Sequence, residues 1–245
     1  MGGTAGGRGP ASVAAMLDRY DWGAVAADLD AQGWAVLPGL LDAVTCARIA
    51  AGYHDPAAFR SHVVMARHGF GRGEYRYYAY QLPPLIADLR AGFYARLAPV
   101  ANHWAERMGS APDYPAIHAD YLTRCHAAGQ TRPTPLLLRY GPGDYNCLHQ
   151  DLYGAELFPI QAAVLLSAPD ADFAGVAFVL TEQRPRMQSR VEVVPLMKGD
   201  AVVFAVNERP VRGTRGDYRV RMRHGVSTVR SGARHTLGII LHDAA

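Results

Sequence analysis

The spacing of apolar residues in the first part of the chain predicts helices separated by a short strand. Over residues 12–29 apolar side chains recur every three or four positions, which is typical of one buried helical face. Gly33 ends this predicted helix, and residues 34–37 are apolar enough for a short strand. A second helix is predicted from an N-cap at Asp42 to residue 53.

The next segment combines a hairpin pattern with a long helical pattern. Residues 59–80 alternate and are rich in aromatic side chains, which predicts a β-hairpin. Pro83 and Pro84 begin the longest predicted helix, and Gly109 ends it. Pro99 lies inside this helix and predicts a kink there.

After Pro135 the pattern changes to short β-rich runs separated by Gly, Pro and Asp. The eight predicted strands cover residues 136–140, 145–148, 160–167, 176–181, 191–196, 201–206, 218–229 and 235–241. Strands of this number and spacing favour an α+β fold, in which a double-stranded β-helix, or jelly roll, carries the N-terminal helices on its outside. We therefore expect a flexible tail over residues 1–11 and one domain over 12–245, with helical and hairpin support at 12–134 and the jelly-roll core at 135–243.

Composition excludes several classes of protein. Hydrophobic residues make up 49% of the 245 positions and charged residues 19%, so the chain has enough apolar surface for a sizeable core. The three cysteines form no Cys-x-x-Cys pair, which argues against a structural zinc cluster and a disulfide framework. No apolar run approaches the roughly 20 residues that span a bilayer. We expect a cytoplasmic protein without a membrane partner.

The basic residues are unevenly chosen and unevenly placed. Lys198 is the only lysine, so arginine supplies 24 of the 25 basic residues. Many arginines lie late in the chain, at positions 184, 186, 190, 209, 212, 215, 219, 221, 223, 230 and 234. They fit either a basic face for a phosphate-bearing partner or outward strand positions that solvate a sheet.

Three residues have the types and positions of a metal site. His149 and Asp151 are two residues apart at the end of a predicted strand, so their side chains share a face. His224 lies in a later predicted strand and is the candidate third ligand. Two imidazoles and a carboxylate form the facial triad of non-haem Fe(II) oxygenases, which leaves metal positions open. Arg234, which follows His224, is suited to a bidentate grip on a carboxylate.

The order of these motifs resembles that of the Fe(II)/2-oxoglutarate-dependent dioxygenase superfamily over residues 135–243. Three stretches, residues 71–75, 179–190 and 234–240, look like a bacterial oxygenase group placed near the AlkB-like nucleic-acid demethylases. The run from Arg139 to Asp151 is also similar to AlkB. One departure is Ile240, which stands where AlkB has a second arginine after its anchor.

The resemblance implies cofactors and site residues. Fe(II) would be bound by His149, Asp151 and His224, and molecular oxygen would be the second substrate. 2-Oxoglutarate would be bound by Arg234, Tyr140 and Thr236. The candidate substrate contacts are Arg72, Tyr75, Tyr77, Glu182 and Arg186. The tyrosines also fit cross-strand packing, and Glu182 and Arg186 also fit a solvated loop.

The function implied is hydroxylation of a C–H bond, with alkylated nucleobases in DNA or RNA, or a nucleotide, as the substrate. On an N-methyl group this reaction amounts to oxidative demethylation. A second hypothesis is hydroxylation of a protein side chain, peptide or small metabolite, as in prolyl-hydroxylase-like relatives with a similar His-Gly-Val-Ser segment. A third is a non-catalytic jelly-roll binding protein, against which the complete His, Asp, His and Arg set argues.

Overall fold

Residues 12–245 are described by a computed structural model of the chain, and the tail predicted over residues 1–11 lies outside them. The helices are α1 (Val13–Asp18), α2 (Trp22–Gln32), α3 (Ala43–Ala51), α4 (Pro84–Arg107) and α5 (His118–Ala127). Short 3₁₀ turns cover Gly52–His54, Pro56–Ala58 and Met65–Arg67. The strands are β1 (Trp34–Leu37), β2 (Phe59–Val64), β3 (Gly71–Arg72), β4 (Glu74–Tyr78), β5 (Leu136–Tyr140), β6 (Tyr145–His149), β7 (Ile160–Leu165), β8 (Phe173–Ala174), β9 (Phe178–Gln183), β10 (Arg190–Val194), β11 (Ala201–Ala205), β12 (Glu208–Gly213), β13 (Gly216–Val226), β14 (Ser231–Gly232) and β15 (Arg234–Ile239).

The strands form two main antiparallel sheets. The major sheet has the order β1-β11-β7-β15-β5-β4-β2, and the minor sheet has the order β10-β9-β13-β6-β3, with β12 paired to β13. The predicted hairpin is present as β2 and β4, which pair from Phe59 to Val64. The predicted fold class, a jelly roll with helices outside, is confirmed.

Strand alternation separates the two faces of the major sheet. In β15, Leu237 and Ile239 are fully buried in the main apolar core together with helix residues such as Phe93 of α4. Arg234 and Thr236 have the opposite parity and line the space between the sheets. One face of the sheet therefore binds the helices, and the other face builds a cavity.

The N-terminal helices differ from the single helix predicted over residues 12–29. The side chain of Asp21 accepts hydrogen bonds from the backbone N–H groups of Gly23 and Ala24, so α2 begins at a new N-cap. Helix α4 begins at Pro84 and continues through Pro99 to Arg107, as predicted. Helix α5 and strand β12 were not predicted. None of the helices in residues 12–245 has the length and apolar character needed to cross a bilayer.

A buried ion pair joins β9, β12 and helix α2. The guanidinium of Arg209 binds the carboxylate of Glu182, and their side chains are 0% and 1% exposed. Arg209 Nη1 also donates to the carbonyl of Asp30 at 2.8 Å. Arg184 Nε donates to the same carboxylate at 2.8 Å. The Glu182 carboxylate therefore has a structural role, in which its charge is neutralised by the two arginines.

Replacing Glu182 with glutamine should destabilise the protein by about 3–5 kcal/mol, because it leaves the buried Arg209 charge without its partner. Denaturant unfolding followed by circular dichroism measures this change. Glu192→Gln is the matched control, since the Glu192 carboxylate contacts Arg190 at the surface and such pairs contribute about 1 kcal/mol or less. Equal losses of stability in the two variants would contradict the structural role of Glu182.

Candidate metal centre

A cavity of about 380 Å³ lies between the two sheets. Strands β4, β5, β7, β11 and β15 line it from the major sheet, and β6, β9 and β13 from the minor sheet. Aromatic rings form much of its wall, including those of Tyr75, Tyr77, Tyr153, Phe178 and Phe204. All three predicted metal ligands lie in this cavity.

His149, Asp151 and His224 converge as the sequence predicts. Their ligand atoms lie within 4.8 Å of one another, and within residues 12–245 they are the only group of three such residues found close enough to hold a metal ion. The Asp151 oxygens lie 3.4 Å from His149 Nε2 and 3.3 Å from His224 Nε2. A metal ion bound by these three atoms would have all its protein ligands on one side, which leaves the opposite coordination positions free, as in a facial triad.

Sheet pairing brings the two histidines together. His149 ends β6 and lies directly opposite His224 of β13 in the strand register. Gly225 follows at a place where a side chain would not fit, since a Cβ would lie 2.8 Å from the carbonyl oxygen of Asn146. The two strands can therefore approach closely enough for the imidazole ring centroids to be 4.2 Å apart.

The electrostatics of the group suit a cation. Burial opposes ionisation of Asp151, yet hydrogen bonds from both imidazoles hold the pKa of its carboxyl well below the ordinary value. Burial and the neighbouring His149 lower the pKa of His224. Burial opposes protonation of His149, but its hydrogen bond to Asp151 and the charge of Asp151 raise its pKa. The ionised Asp151 carboxylate and the neutral His224 imidazole are in the states in which such side chains bind metals.

Two further residues, which the sequence did not indicate, hold the Asp151 carboxylate. The hydroxyl of Tyr153 donates to Oδ1 at 2.7 Å, and Nε2 of Gln161 donates to Oδ2 at 2.8 Å. Burial, followed by the Asp151 charge, raises the pKa of Tyr153, which keeps its hydroxyl protonated as a donor. Each carboxylate oxygen therefore has a hydrogen-bond donor from a residue outside the candidate ligand set.

The closed end of the cavity contains polar groups without protein partners. Arg234 is directly opposite Tyr140 in the pairing of β15 with β5, and both side chains are buried. Arg234 Nη1, the Tyr140 hydroxyl and Thr236 Oγ1 are buried and find no hydrogen-bond partner within residues 12–245. Burial lowers the pKa of Arg234 to about 10, so its charge is poorly compensated.

These observations fit the cofactors that the sequence resemblance implies. Buried polar groups normally have hydrogen-bond partners, so an arginine, a phenol and a threonine left together indicate an anionic ligand. A carboxylate of 2-oxoglutarate matches that set, and the histidines and Asp151 match the donor set of Fe(II). The residues that would bind the two groups face one cavity.

The candidate substrate residues divide into two groups. Tyr75 and Tyr77 line the cavity and pack edge to face with ring centroids 5.4 Å apart. Arg72 is exposed and lines a separate surface groove. Glu182 lies outside the cavity in its ion pair with Arg209, and Arg186 lies on the exposed turn between β9 and β10. The structure therefore does not place Glu182 or Arg186 at the metal centre.

The late arginines form no basic rim around the cavity. Arg234 alone among them lines it. Arg219, Arg221 and Arg223 are exposed at alternate positions of β13, on the face opposite His224. Some of the exposed arginines are also paired with acids, as Arg219 is with Glu208 at 3.2 Å. Arg209 and Arg234 are buried, and for the exposed arginines the structure supports solvated outward positions.

The family that matches this chain is one of oxygenases, in agreement with the candidate metal centre. Residues 73–244 match the Oxygenase-NA family, which is described as an oxygenase catalysing oxidative methylation of damaged DNA. Two Mycobacterium tuberculosis proteins, Rv2227 and MT2286, both named as uncharacterized, are 47% identical over 164 residues, which cover 67% of this chain and 70% of each relative.

Solved structures share the fold at low sequence identity. A Pseudomonas putida prolyl-4-hydroxylase superposes with a TM-score of 0.53 and 15% identity, over 89% of this chain and 96% of that one. A Burkholderia pseudomallei oxidoreductase of the 2OG-Fe(II) oxygenase family superposes with a TM-score of 0.51 and 18% identity, over 92% and 94%. These structures share the fold, while the family match over most of the chain shows that the protein belongs to the Oxygenase-NA family. The oxygenase family and the His-Asp-His group together support an Fe(II)/2-oxoglutarate-dependent oxygenase.

Proposed function

We propose that this oxygenase hydroxylates an N-methyl carbon of an alkylated base in DNA or RNA and so demethylates the base. The observation that carries the proposal is the joint cavity, in which the triad, the unpartnered Arg234 group and an aromatic wall face one another. The description of the family supports the nucleic-acid substrate.

His149, Asp151 and His224 would hold Fe(II), while Arg234, Tyr140 and Thr236 would hold 2-oxoglutarate. When bound, these groups supply the oxidation, in which oxygen and 2-oxoglutarate yield succinate, CO₂ and one oxygen atom inserted into a substrate C–H bond. The hydroxymethyl group formed on nitrogen then separates as formaldehyde and restores the N–H of the base.

The shape of the site suits a planar group that enters from one side. His149 is a third exposed, whereas Asp151 and His224 are 8% exposed, so the entrance lies on the His149 side. Tyr75 and Tyr77 line the same cavity, where they offer ring faces and edges to a base. A base in a duplex would have to leave its stack to reach them.

The decisive experiment supplies Fe(II), 2-oxoglutarate and oxygen, and measures succinate and formaldehyde with a panel of substrates. The panel holds methylated single-stranded and duplex oligonucleotides, methylated nucleosides, amino acids and peptides. Formaldehyde produced in proportion to succinate from a methylated nucleic acid supports the proposal. Succinate stimulated by a peptide or amino acid, with no formaldehyde from any nucleic acid, would favour the side-chain or metabolite hydroxylase instead.

The hydrogen bond from Tyr153 to Asp151 gives a further testable expectation. Tyr153→Phe should weaken Fe(II) or Co(II) binding by about 10-fold, because partners that orient a metal ligand typically contribute 10- to 100-fold in affinity. Isothermal titration of the metal-free protein measures the change. Tyr75→Phe is the matched control, since it removes a phenol from the same cavity that makes no hydrogen bond to Asp151. Equal affinities of the Tyr153→Phe variant and the wild type would refute the role.

A further inference from the structure

The segment between β2 and β4, residues 65–73, forms a compact loop beside the entrance of the cavity, and we refer to it as the mouth loop. Its sequence, Met-Ala-Arg-His-Gly-Phe-Gly-Arg-Gly, contains two arginines, a histidine and a phenylalanine and no acidic residue. Apart from Arg72, none of its residues is among the candidate metal ligands, cofactor contacts or substrate contacts. Residues 65–72 also lie before the segment that matches the family.

Hydrogen bonds fix the mouth loop next to the metal centre. The backbone N–H of Cys147 donates to the carbonyl of Phe70 at 2.9 Å, and the carbonyl of Cys147 lies 2.8 Å from His149 Nδ1. Gly69 and Phe70 line the cavity itself. The mouth loop is therefore one backbone segment away from the first metal ligand, on the open side of the site.

The mouth loop has a defined shape. Met65 is fully buried, and its carbonyl accepts hydrogen bonds from the N–H groups of His68 and Phe70 at 3.0 and 3.2 Å. Gly71 has a φ of +126°, and a Cβ there would lie 2.4 Å from the carbonyl oxygen of Tyr145. Glycine therefore allows close pairing of β3 with β6, which holds the mouth loop against the entrance.

The side chains that the mouth loop presents are unusual for a surface loop. Phe70 is 48% exposed and its ring stacks on that of His68, with centroids 5.3 Å apart and an interplanar angle of 22°. Arg67 and Arg72 are exposed and form no ion pair or side-chain hydrogen bond with any residue in the 12–245 range. The mouth loop thus carries a stacked aromatic pair, with Arg67 before it and Arg72 after it in sequence, and Arg72 lies on the neighbouring surface groove.

We propose that the mouth loop binds the single strand that flanks the target base, with Phe70 stacking on a neighbouring base and with Arg67 and Arg72 contacting phosphates. Aromatic platforms combined with basic side chains are the usual means of binding single strands without sequence preference. The proposal rests on the proposed function, which it deepens by naming a single-stranded or locally opened nucleic acid as the substrate class.

Binding of an unmethylated, fluorescently labelled single strand of about 12 nucleotides, followed by anisotropy, tests the mouth loop separately from catalysis. Phe70→Ala should weaken binding by at least about 5-fold, the lower end of the effect of losing one base stack. Ile117→Ala is the matched control, because Ile117 is a 61% exposed apolar side chain that lines neither the cavity of the metal centre nor the surface groove of Arg72. Unchanged binding in Phe70→Ala, or equal losses in both variants, would overturn the proposal.

The salt dependence of binding tests the arginines. Arg67→Gln and Arg72→Gln should each reduce the slope of log affinity against log salt by about 0.7, the value for one phosphate contact on a single strand. Arg215→Gln, at an exposed arginine of the turn between β12 and β13, should leave the slope unchanged. Equal slopes in all variants and the wild type would overturn the proposal.

Two outcomes separate this proposal from the proposed function. Formaldehyde release from a methylated strand by the wild type, with strand binding unaffected in all mouth-loop variants, overturns the role of the loop and leaves the function standing. Weakened binding in the variants, with no formaldehyde from any methylated strand, supports the loop and overturns the function. Poly-glutamate that binds as tightly as the nucleic acid, and equally well to Phe70→Ala, would show that charge alone is recognised and would refute the stacking.

Discussion

Asp151→Ala is expected to abolish both stable metal binding and succinate formation. The carboxylate lies 3.4 and 3.3 Å from the two imidazoles, and it is the only anionic group among the three candidate ligands. Residues that merely orient a metal ligand contribute 10- to 100-fold, so the loss of the ligand itself should exceed about 100-fold in affinity. Metal content after dialysis against Fe(II) or Co(II), together with succinate formation, measures the effect.

The control for this variant is Asp120→Ala, which removes an exposed carboxylate from the first turn of α5. It should bind one metal ion per chain, as the wild type does. Far-ultraviolet circular dichroism checks that Asp151→Ala keeps its sheets, since Tyr153 and Gln161 lose their common acceptor. A folded Asp151→Ala protein that still retains one metal ion per chain would remove Asp151 from the ligand set.

Arg234→Met should raise the KM for 2-oxoglutarate by at least about 30-fold while metal binding persists. Truncating one partner of a buried, hydrogen-bonded charge pair costs about 2–5 kcal/mol, and 2 kcal/mol corresponds to roughly 30-fold. Methionine keeps most of the side-chain volume and removes the charge. Succinate formation at varied 2-oxoglutarate concentration gives the KM, and titration of the metal-free protein gives the metal affinity.

The same variant should be more heat-stable than the wild type when no 2-oxoglutarate is present. Within residues 12–245 the buried guanidinium of Arg234 has no acidic partner, and burial lowers its pKa to about 10, so at neutral pH the folded state carries the cost of burying this charge. The control is Arg139→Met, at a half-exposed arginine of β5 whose carboxylate partner is Glu74. Equal losses of metal affinity and 2-oxoglutarate affinity in Arg234→Met would contradict the assignment of Arg234 as a 2-oxoglutarate contact.

The sequence was sufficient for the β-rich half because its strands are short β-rich runs bounded by Gly, Pro and Asp. It was insufficient where tertiary contacts determine whether a strand forms or where a helix ends. Strand β12 contains Pro210, which weakens a strand prediction, yet it pairs fully with β13 along one side. The break between α1 and α2 depends on one capping side chain, Asp21, inside a continuous helical pattern.

The metal triad was predictable because its residue types and order are chemically restrictive. Its supporting residues were not, since nothing local marks Tyr153 or Gln161 as donors to Asp151. For Glu182 the sequence suggested a role that the structure does not support. Its place in a polar loop-like stretch suggested a substrate contact, but its partner Arg209 is 27 residues away in sequence and buried beside it. Pairings of that kind become visible only once the strands are placed.

The direct opposition of His149 and His224 in the minor sheet also has a kinetic consequence. The two residues are 224 − 149 = 75 positions apart in sequence. Closing such a long loop is one of the slower steps of folding. Before β6 pairs with β13, His149 and His224 are not adjacent and cannot bind iron together. Metal binding and completion of the sheet are therefore coupled. A nascent or half-folded chain therefore carries no oxidising centre with which to damage itself.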